Sequence, residues 1–82
     1  MSKVIGHYWI RDEEKYKWHW MGKSPKVRKA VEVYMVRHKP GNWNTSFNET
    51  AEAVGNEIGC SKMAIYNNVN SLKNKGIIEP VL

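Results

Sequence analysis

Two glycines, Gly55 and Gly59, lie four residues apart between two segments that both show helical periodicity. One continuous helix disfavours them, because glycine in a helix interior costs about 1 kcal/mol relative to alanine. Two short helices that meet at a tight corner need both residues. Gly55 lets the helices approach closely, and Gly59 adopts a left-handed backbone conformation at low cost. The spacing therefore predicts a helix-turn-helix.

The two helices of this motif are predicted over residues 48–58 and 61–75. Ser61 is the expected N-cap of the later helix, since its hydroxyl can accept a hydrogen bond from the first turn. Gly76 is the expected breaker at the far end. Apolar residues at helical spacing are expected to pack between the two helices: Val54, Ile58, Cys60, Ile65, Val69 and Leu72.

A longer first helix is predicted over residues 24–39. Ser24 is its expected N-cap, and Pro25 occupies the first helical position, where a missing N–H loses no hydrogen bond. Pro40 ends the helix, because the residue before a proline avoids the helical region. Apolar and aromatic residues then recur on one helical face: Val27, Ala30, Val31, Tyr34 and Met35.

The N-terminal segment, residues 3–21, is rich in β-branched and aromatic residues. In its second half Tyr16, Trp18 and Trp20 alternate with polar residues at a period of two, which is typical of a strand with one solvent-exposed face. A charged stretch of turn length separates the two halves, so we predict a hairpin of two strands. A short helix across Asp12–Trp18 is the alternative.

Residues 77–82 are predicted to form an edge strand, because Pro80 has no N–H to donate to a neighbouring strand. A chain of 82 residues, of which 41% are hydrophobic, is sufficient for one small domain with one core. The predicted fold class is therefore α+β: three helices with a small antiparallel sheet that includes the N-terminal hairpin.

The segment VGNEIGCSKMAIYNNVNSLKNKGII resembles the winged helix-turn-helix pattern. In that pattern a small residue, Gly, an apolar residue and Ser precede the recognition helix, which closes with Leu, a basic pair and Gly-Ile-Ile. Residues 24–79 are similar to the helix-turn-helix domains of phage and plasmid replication initiators and of small bacterial repressors. The resemblance implies one winged-helix domain that binds double-stranded DNA sequence-specifically, as a small transcription regulator or a phage-type replication or recombination accessory.

Two features depart from the family pattern. Ala64 stands where the family often has Thr. The family also adds a turn and a further strand, the wing, after Gly-Ile-Ile, whereas this sequence ends at Leu82. Either the N-terminal hairpin supplies that part of the sheet, or the wing is absent, or the sequence is cut short.

The charge pattern agrees with a polyanionic partner. The net charge is +5, and no acidic residue lies between Cys60 and Gly76, as expected for a helix close to phosphates. If this helix enters a major groove, its N-terminal and outward positions face the DNA. The residues predicted to contact DNA are Ser61, Lys62, Met63, Tyr66, Asn67, Asn70 and Lys73.

These residue types suit contacts to base edges. Asn67 and Asn70 could make bidentate hydrogen bonds to adenine, and Lys62 could reach guanine or a phosphate. Met63 or Ala64 could contact a thymine methyl group. Basic residues around the start of the first helix are expected to hold phosphates: Lys23, Lys26, Arg28 and Lys29. A solvated polar surface is the alternative interpretation of both sets.

The four tryptophans are Trp9, Trp18, Trp20 and Trp43. Our first interpretation is a core or a dimer interface, where tryptophan is enriched. A homodimer, joined through the aromatic hairpin or the first helix, would suit palindromic sites. Stacking on unpaired bases is a second interpretation. The alternative function is a protein-protein interaction module, in which a phage or viral factor binds a host protein through a Trp-rich surface.

Several function classes are not expected. The sequence has no phosphate-binding glycine loop, no paired carboxylates and no nucleophile motif, so we predict no enzyme and no small-molecule substrate. Three His and one Cys are scattered and fit no metal spacing, so we expect no metal and no cofactor. No apolar stretch approaches a membrane span or a signal peptide, which predicts a cytoplasmic protein without a membrane partner.

Overall fold

The computed structural model describes residues 3–40 and 47–81, which form four helices and a three-stranded antiparallel sheet. In chain order the elements are β1 (Lys3–Ile5), β2 (Tyr8–Ile10), α1 (Glu13–Trp20), α2 (Pro25–Arg37), α3 (Phe47–Ile58), α4 (Lys62–Asn74) and β3 (Ile78–Pro80). The predicted α+β class and the N-terminal hairpin within a small antiparallel sheet are confirmed. The predicted number of helices, three, is wrong.

The additional helix, α1, replaces the second strand of the hairpin predicted over residues 3–21. Both strands of the hairpin end by Ile10, and the chain turns into a helix directly afterwards. Asp12 is the N-cap, and its Oδ1 accepts a hydrogen bond of 3.0 Å from the backbone N–H of Lys15. A side chain that satisfies an otherwise unpaired N–H of the first turn stabilises this helix start.

Burial of two aromatic rings explains why this segment is a helix. Tyr16 and Trp20 are buried at 4% and 5% exposure, whereas Trp18 between them is 57% exposed. Residues four apart share one face of a helix, whereas a strand would place all three side chains on the same face. The helix therefore buries two of the rings and leaves the third in solvent.

The sheet has the strand order β1-β2-β3, with both pairs antiparallel. The hairpin puts β2 in the centre, where Tyr8 and Ile10 are buried. The strand predicted over residues 77–82 spans Ile78–Pro80 and lies at one edge of the sheet. Residue 82 lies outside the described residues.

The three longer helices correspond to those predicted from residue periodicity. The helix predicted over residues 24–39 is α2, the one over 48–58 is α3, and the one over 61–75 is α4. Ser24 and Ser61 are the N-caps of α2 and α4, and each hydroxyl accepts a hydrogen bond from a backbone N–H of the first turn.

The corner between α3 and α4 contains only three residues and depends on both glycines. Gly59 has a φ of +86°, in the left-handed region. The carbonyl of Gly55 accepts backbone hydrogen bonds from Gly59 at 2.8 Å and from Cys60 at 2.9 Å. A Cβ on residue 55 would collide with the carbonyl oxygen of Cys60. The predicted close approach therefore occurs between the end of α3 and the corner itself.

Helix α2 lies at the centre of the packing and contacts β1, α3 and α4. The core is built from all four helices and two strands: Tyr8, Ile10, Tyr16, Trp20, Ala30, Val31, Tyr34, Met35, Ala51, Val54, Ile65, Val69, Leu72, Ile77 and Ile78. Within residues 3–40 and 47–81, no helix combines the length and apolar character needed to cross a membrane.

Candidate nucleic-acid interface

One side of α4 is buried and the opposite side faces solvent. Ile65, Val69 and Leu72 pack into the core. The α4 outer face, as we name it, consists of Lys62, Met63, Tyr66, Asn67, Asn70 and Lys73, of which Asn70 is half-buried and the others are exposed. Ser61 is exposed at the start of this face. The structure thus brings the predicted DNA-contacting residues of this segment together on one helix.

The α4 outer face has a consistent electrostatic character. Lys62 lies at its first turn and Lys73 at its last, with amide and apolar side chains between them. Because the segment between Cys60 and Gly76 contains no acidic residue, no carboxylate of α4 itself would repel a phosphate. The face is therefore suited to a polyanion along its whole length.

Tyr66 is held in position by a series of aromatic contacts that begins in the sheet. The hydroxyl of Tyr8 lies 3.1 Å from Nδ1 of His38, and the His38 ring stacks on Tyr34 with the centroids 5.0 Å apart. Phe47 meets Tyr34 and Tyr66 edge to face, with both centroid distances at 5.1 Å. Aromatic pairs in this geometry add to the burial energy, so the Tyr66 ring has a defined support.

On its other side α4 is joined to α1. Asn68 donates through Nδ2 to the carbonyl of Ala64 at 2.7 Å, which directs its Oδ1 towards Nε2 of His19 at 3.0 Å. Since Oδ1 can only accept, Nε2 of His19 carries the proton. Burial lowers the pKa of His19, and Lys23 and Lys75 lower it further, whereas the bond to Asn68 opposes them. The neutral form of the His19 imidazole therefore makes the contact with Asn68.

Two of the phosphate-binding candidates on α2, Lys26 and Arg28, lie in different surroundings. Nζ of Lys26 is 3.7 Å from the position that a Cβ on Gly59 would occupy, so this cation lies beside the α3–α4 corner. Arg28 instead points towards α1: its Nε is 3.3 Å from Oε2 of Glu32, and its guanidinium lies over the Tyr16 ring at 5.5 Å. The structure brings Lys26, but not Arg28, towards the start of α4.

The tryptophans differ in their surroundings. Trp20 belongs to the core, Trp9 is half-buried and Trp18 is exposed. Trp43 lies outside the described residues. Trp18 neighbours Lys15 on α1, a pairing that the predicted hairpin did not indicate. Their spacing of three positions was the available signal, but it acquires meaning only when the segment is a helix.

No family model, no curated protein and no solved structure matches this chain. Among the described residues, no cluster of His, Cys, Asp or Glu side chains could hold a metal ion.

Proposed function

We propose that this protein binds double-stranded DNA sequence-specifically through the α4 outer face, as a winged helix-turn-helix. It would act as a small transcription regulator or as a phage-type replication or recombination accessory. The observation that carries the proposal is an exposed helix face with amide and basic side chains and no carboxylate, which directly follows a three-residue corner. A helix in this setting is the element that enters a major groove in helix-turn-helix proteins.

The side chains of the face match the groups that the major groove presents. Asn67 and Asn70 are the side chains suited to bidentate contact with adenine, and Met63 offers an apolar contact for thymine. Each good bidentate pair discriminates against a wrong base by about 1–3 kcal/mol. Tyr66, supported by Phe47, would reach the sugar-phosphate backbone.

Backbone contacts would come from basic residues around the face. Lys62 and Lys73 lie at its two ends, and Lys26 lies beside the corner that precedes it. Each phosphate that a cation neutralises steepens the salt dependence, with a slope of about −0.9 in log K against log salt per contact. A homodimer remains part of the proposal, since a palindromic site requires two copies of α4 about one helical turn of DNA apart.

The test is a matched pair of double variants. Asn67→Ala with Asn70→Ala should weaken binding to a selected duplex by at least about 30-fold, because two bidentate base contacts of about 1–3 kcal/mol each are lost. Asn48→Ala with Asn56→Ala, which changes two exposed asparagines on α3, should leave affinity unchanged. Circular dichroism of both variants checks that the fold persists. Equal affinity of both double variants would show that Asn67 and Asn70 of the α4 outer face do not contact the DNA.

A protein-protein interaction module is the second candidate, and the exposed Trp18 and Met21 favour it. A salt series with random-sequence duplex separates the two. A steep loss of affinity with salt supports phosphate contacts. No detectable binding at low salt supports the interaction module.

A further inference from the structure

A second surface, separate from the α4 outer face, combines an exposed aromatic ring with cations. It is an open cleft of about 490 Å³ between α1 and the chain that follows α4. We name it the Trp18 cleft, and its lining residues are Lys15, Trp18, His19, Lys75 and Ile77. Its volume falls within the range of about 300–1,000 Å³ that is usual for small-ligand sites.

The two walls of the cleft are fixed by hydrogen bonds. The N–H of Arg11 donates to the carbonyl of Ile77 at 2.7 Å, which ties the entry of α1 to the start of β3. The contact between His19 and Asn68 ties the middle of α1 to α4. Ile77 is itself buried and forms an apolar base for the cleft. Both walls are thus in place before any ligand arrives.

The electrostatics of the cleft favour an anionic ligand. Its lining includes two lysines and a histidine and, among the described residues, no carboxylate. The carboxylate of Glu79, further along β3, is paired with Arg11 at 3.3 Å. The same positive field contributes to the lowered pKa of His19, after burial, through Lys23 and Lys75.

We infer that the Trp18 cleft binds an unpaired nucleotide, whose base stacks on Trp18 while Lys15 and Lys75 hold its phosphates. Paired bases inside a duplex have both faces covered by stacking, so the ligand chemistry that fits is a single strand. Aromatic side chains beside a basic groove are the means by which single strands are bound without a strong sequence preference. This site goes beyond the proposed function, since it uses none of the residues of the α4 outer face.

The experiment titrates the full chain with oligo-dT and with oligo-rU and follows tryptophan fluorescence. Stacking on Trp18 should quench the emission, and the DNA and RNA arms show which nucleic acid is preferred. Trp18→Phe should abolish most of the quenching, whereas Trp9→Phe, at a half-buried ring of β2, should retain it. Quenching that persists unchanged in Trp18→Phe would overturn the inference.

Affinity is measured separately by anisotropy of labelled oligo-dT. Trp18→Ala should weaken binding roughly 5- to 100-fold. Lys15→Gln with Lys75→Gln should weaken it and reduce the salt slope by about 0.7 for each lost phosphate contact. Lys17→Gln, an exposed lysine of α1 outside the cleft, serves as the control and should match the wild type. Because all four positions are exposed, the folded state is expected to persist, and near-ultraviolet circular dichroism checks it.

Two further arms keep this inference distinguishable from the proposed function. Asn67→Ala with Asn70→Ala should leave oligo-dT binding unchanged even where duplex binding is lost. Loss of oligo-dT binding in that variant would overturn the separate site. Poly-glutamate is the competitor arm: if it binds as tightly as oligo-dT and loses affinity equally in Trp18→Ala, the cleft binds acidic peptides and the nucleotide assignment is wrong.

Discussion

The hydroxyl of Tyr16 donates a hydrogen bond of 2.7 Å to Oε2 of Glu32, and this bond joins α1 to α2. The same carboxylate oxygen is 3.3 Å from Nε of Arg28, whose guanidinium also covers the Tyr16 ring. Burial raises the pKa of Tyr16, and the hydrogen bond to Glu32 raises it further. The sequence pattern did not favour a helix at α1. In the structure, the partly buried contact between Tyr16 and the charged Glu32 holds α1 against α2, in addition to the burial of its aromatic rings.

Replacing Tyr16 with Phe should lower the free energy of unfolding by about 1–2 kcal/mol, since hydrogen bonds to charged groups contribute more than neutral ones. Urea denaturation followed by far-ultraviolet circular dichroism measures the change. Tyr66→Phe is the matched control, because it removes the same hydroxyl group from a tyrosine that is 41% exposed. An equal loss in both variants would show that the Glu32 contact is not the cause.

The α1 segment shows where sequence patterns are ambiguous. Tyr16, Trp18 and Trp20 satisfy a period of two, but Tyr16 and Trp20 also satisfy the four-residue spacing of a helix, and a short apolar run does not decide between them. Asp12 was the stronger signal, because it precedes two acidic residues, as at a helix N-terminus. Burial of the Tyr16 and Trp20 rings in the core then favoured the helix over the strand.

The candidate sites differ in how far local sequence determines them. The α4 outer face follows from helical spacing alone, once Gly59 and Ser61 define where the helix begins. The Trp18 cleft could not be predicted in the same way, because its walls are joined by contacts between distant residues: Arg11 with Ile77, and His19 with Asn68, 49 positions apart. The difference between Lys26 and Arg28 was easier to predict from the sequence. Arg28 and Glu32 are four residues apart on one helix, a spacing that favours an ion pair.

Acidification should destabilise the protein through two half-buried histidines, His19 and His38. Burial lowers the pKa of His19 and of His38, so the unfolded chain, with a histidine pKa near 6.5, binds protons more readily. Stability is then fully present above about pH 6.5 and falls as the pH drops below it. His19→Gln, which keeps a donor for Asn68, should flatten the dependence of the urea midpoint on pH. An unchanged pH profile in that variant would contradict this assignment.

The α3–α4 corner should tolerate no side chain at residue 55. Gly55→Ala places a methyl group against the carbonyl oxygen of Cys60, which forces the backbone apart and should lower the free energy of unfolding by about 1–3 kcal/mol. Asn56→Ala changes the next, exposed residue of α3 and should stay within about 0.5 kcal/mol of the wild type. Thermal unfolding of both variants provides the comparison. A neutral Gly55→Ala would mean that the end of α3 and the corner do not approach each other closely at this point.

Two cations on α2 should behave differently in duplex binding. Lys26 lies beside the corner that precedes α4, whereas Arg28 is already paired with Glu32 beside Tyr16. Lys26→Gln should therefore reduce the slope of log K against log salt by about 0.9, the value for one lost phosphate contact. Arg28→Gln should leave the slope unchanged and lower stability instead, because it removes a partner of the Tyr16–Glu32 contact. A reduced slope in Arg28→Gln alone would place the phosphate backbone along α1 rather than along the corner.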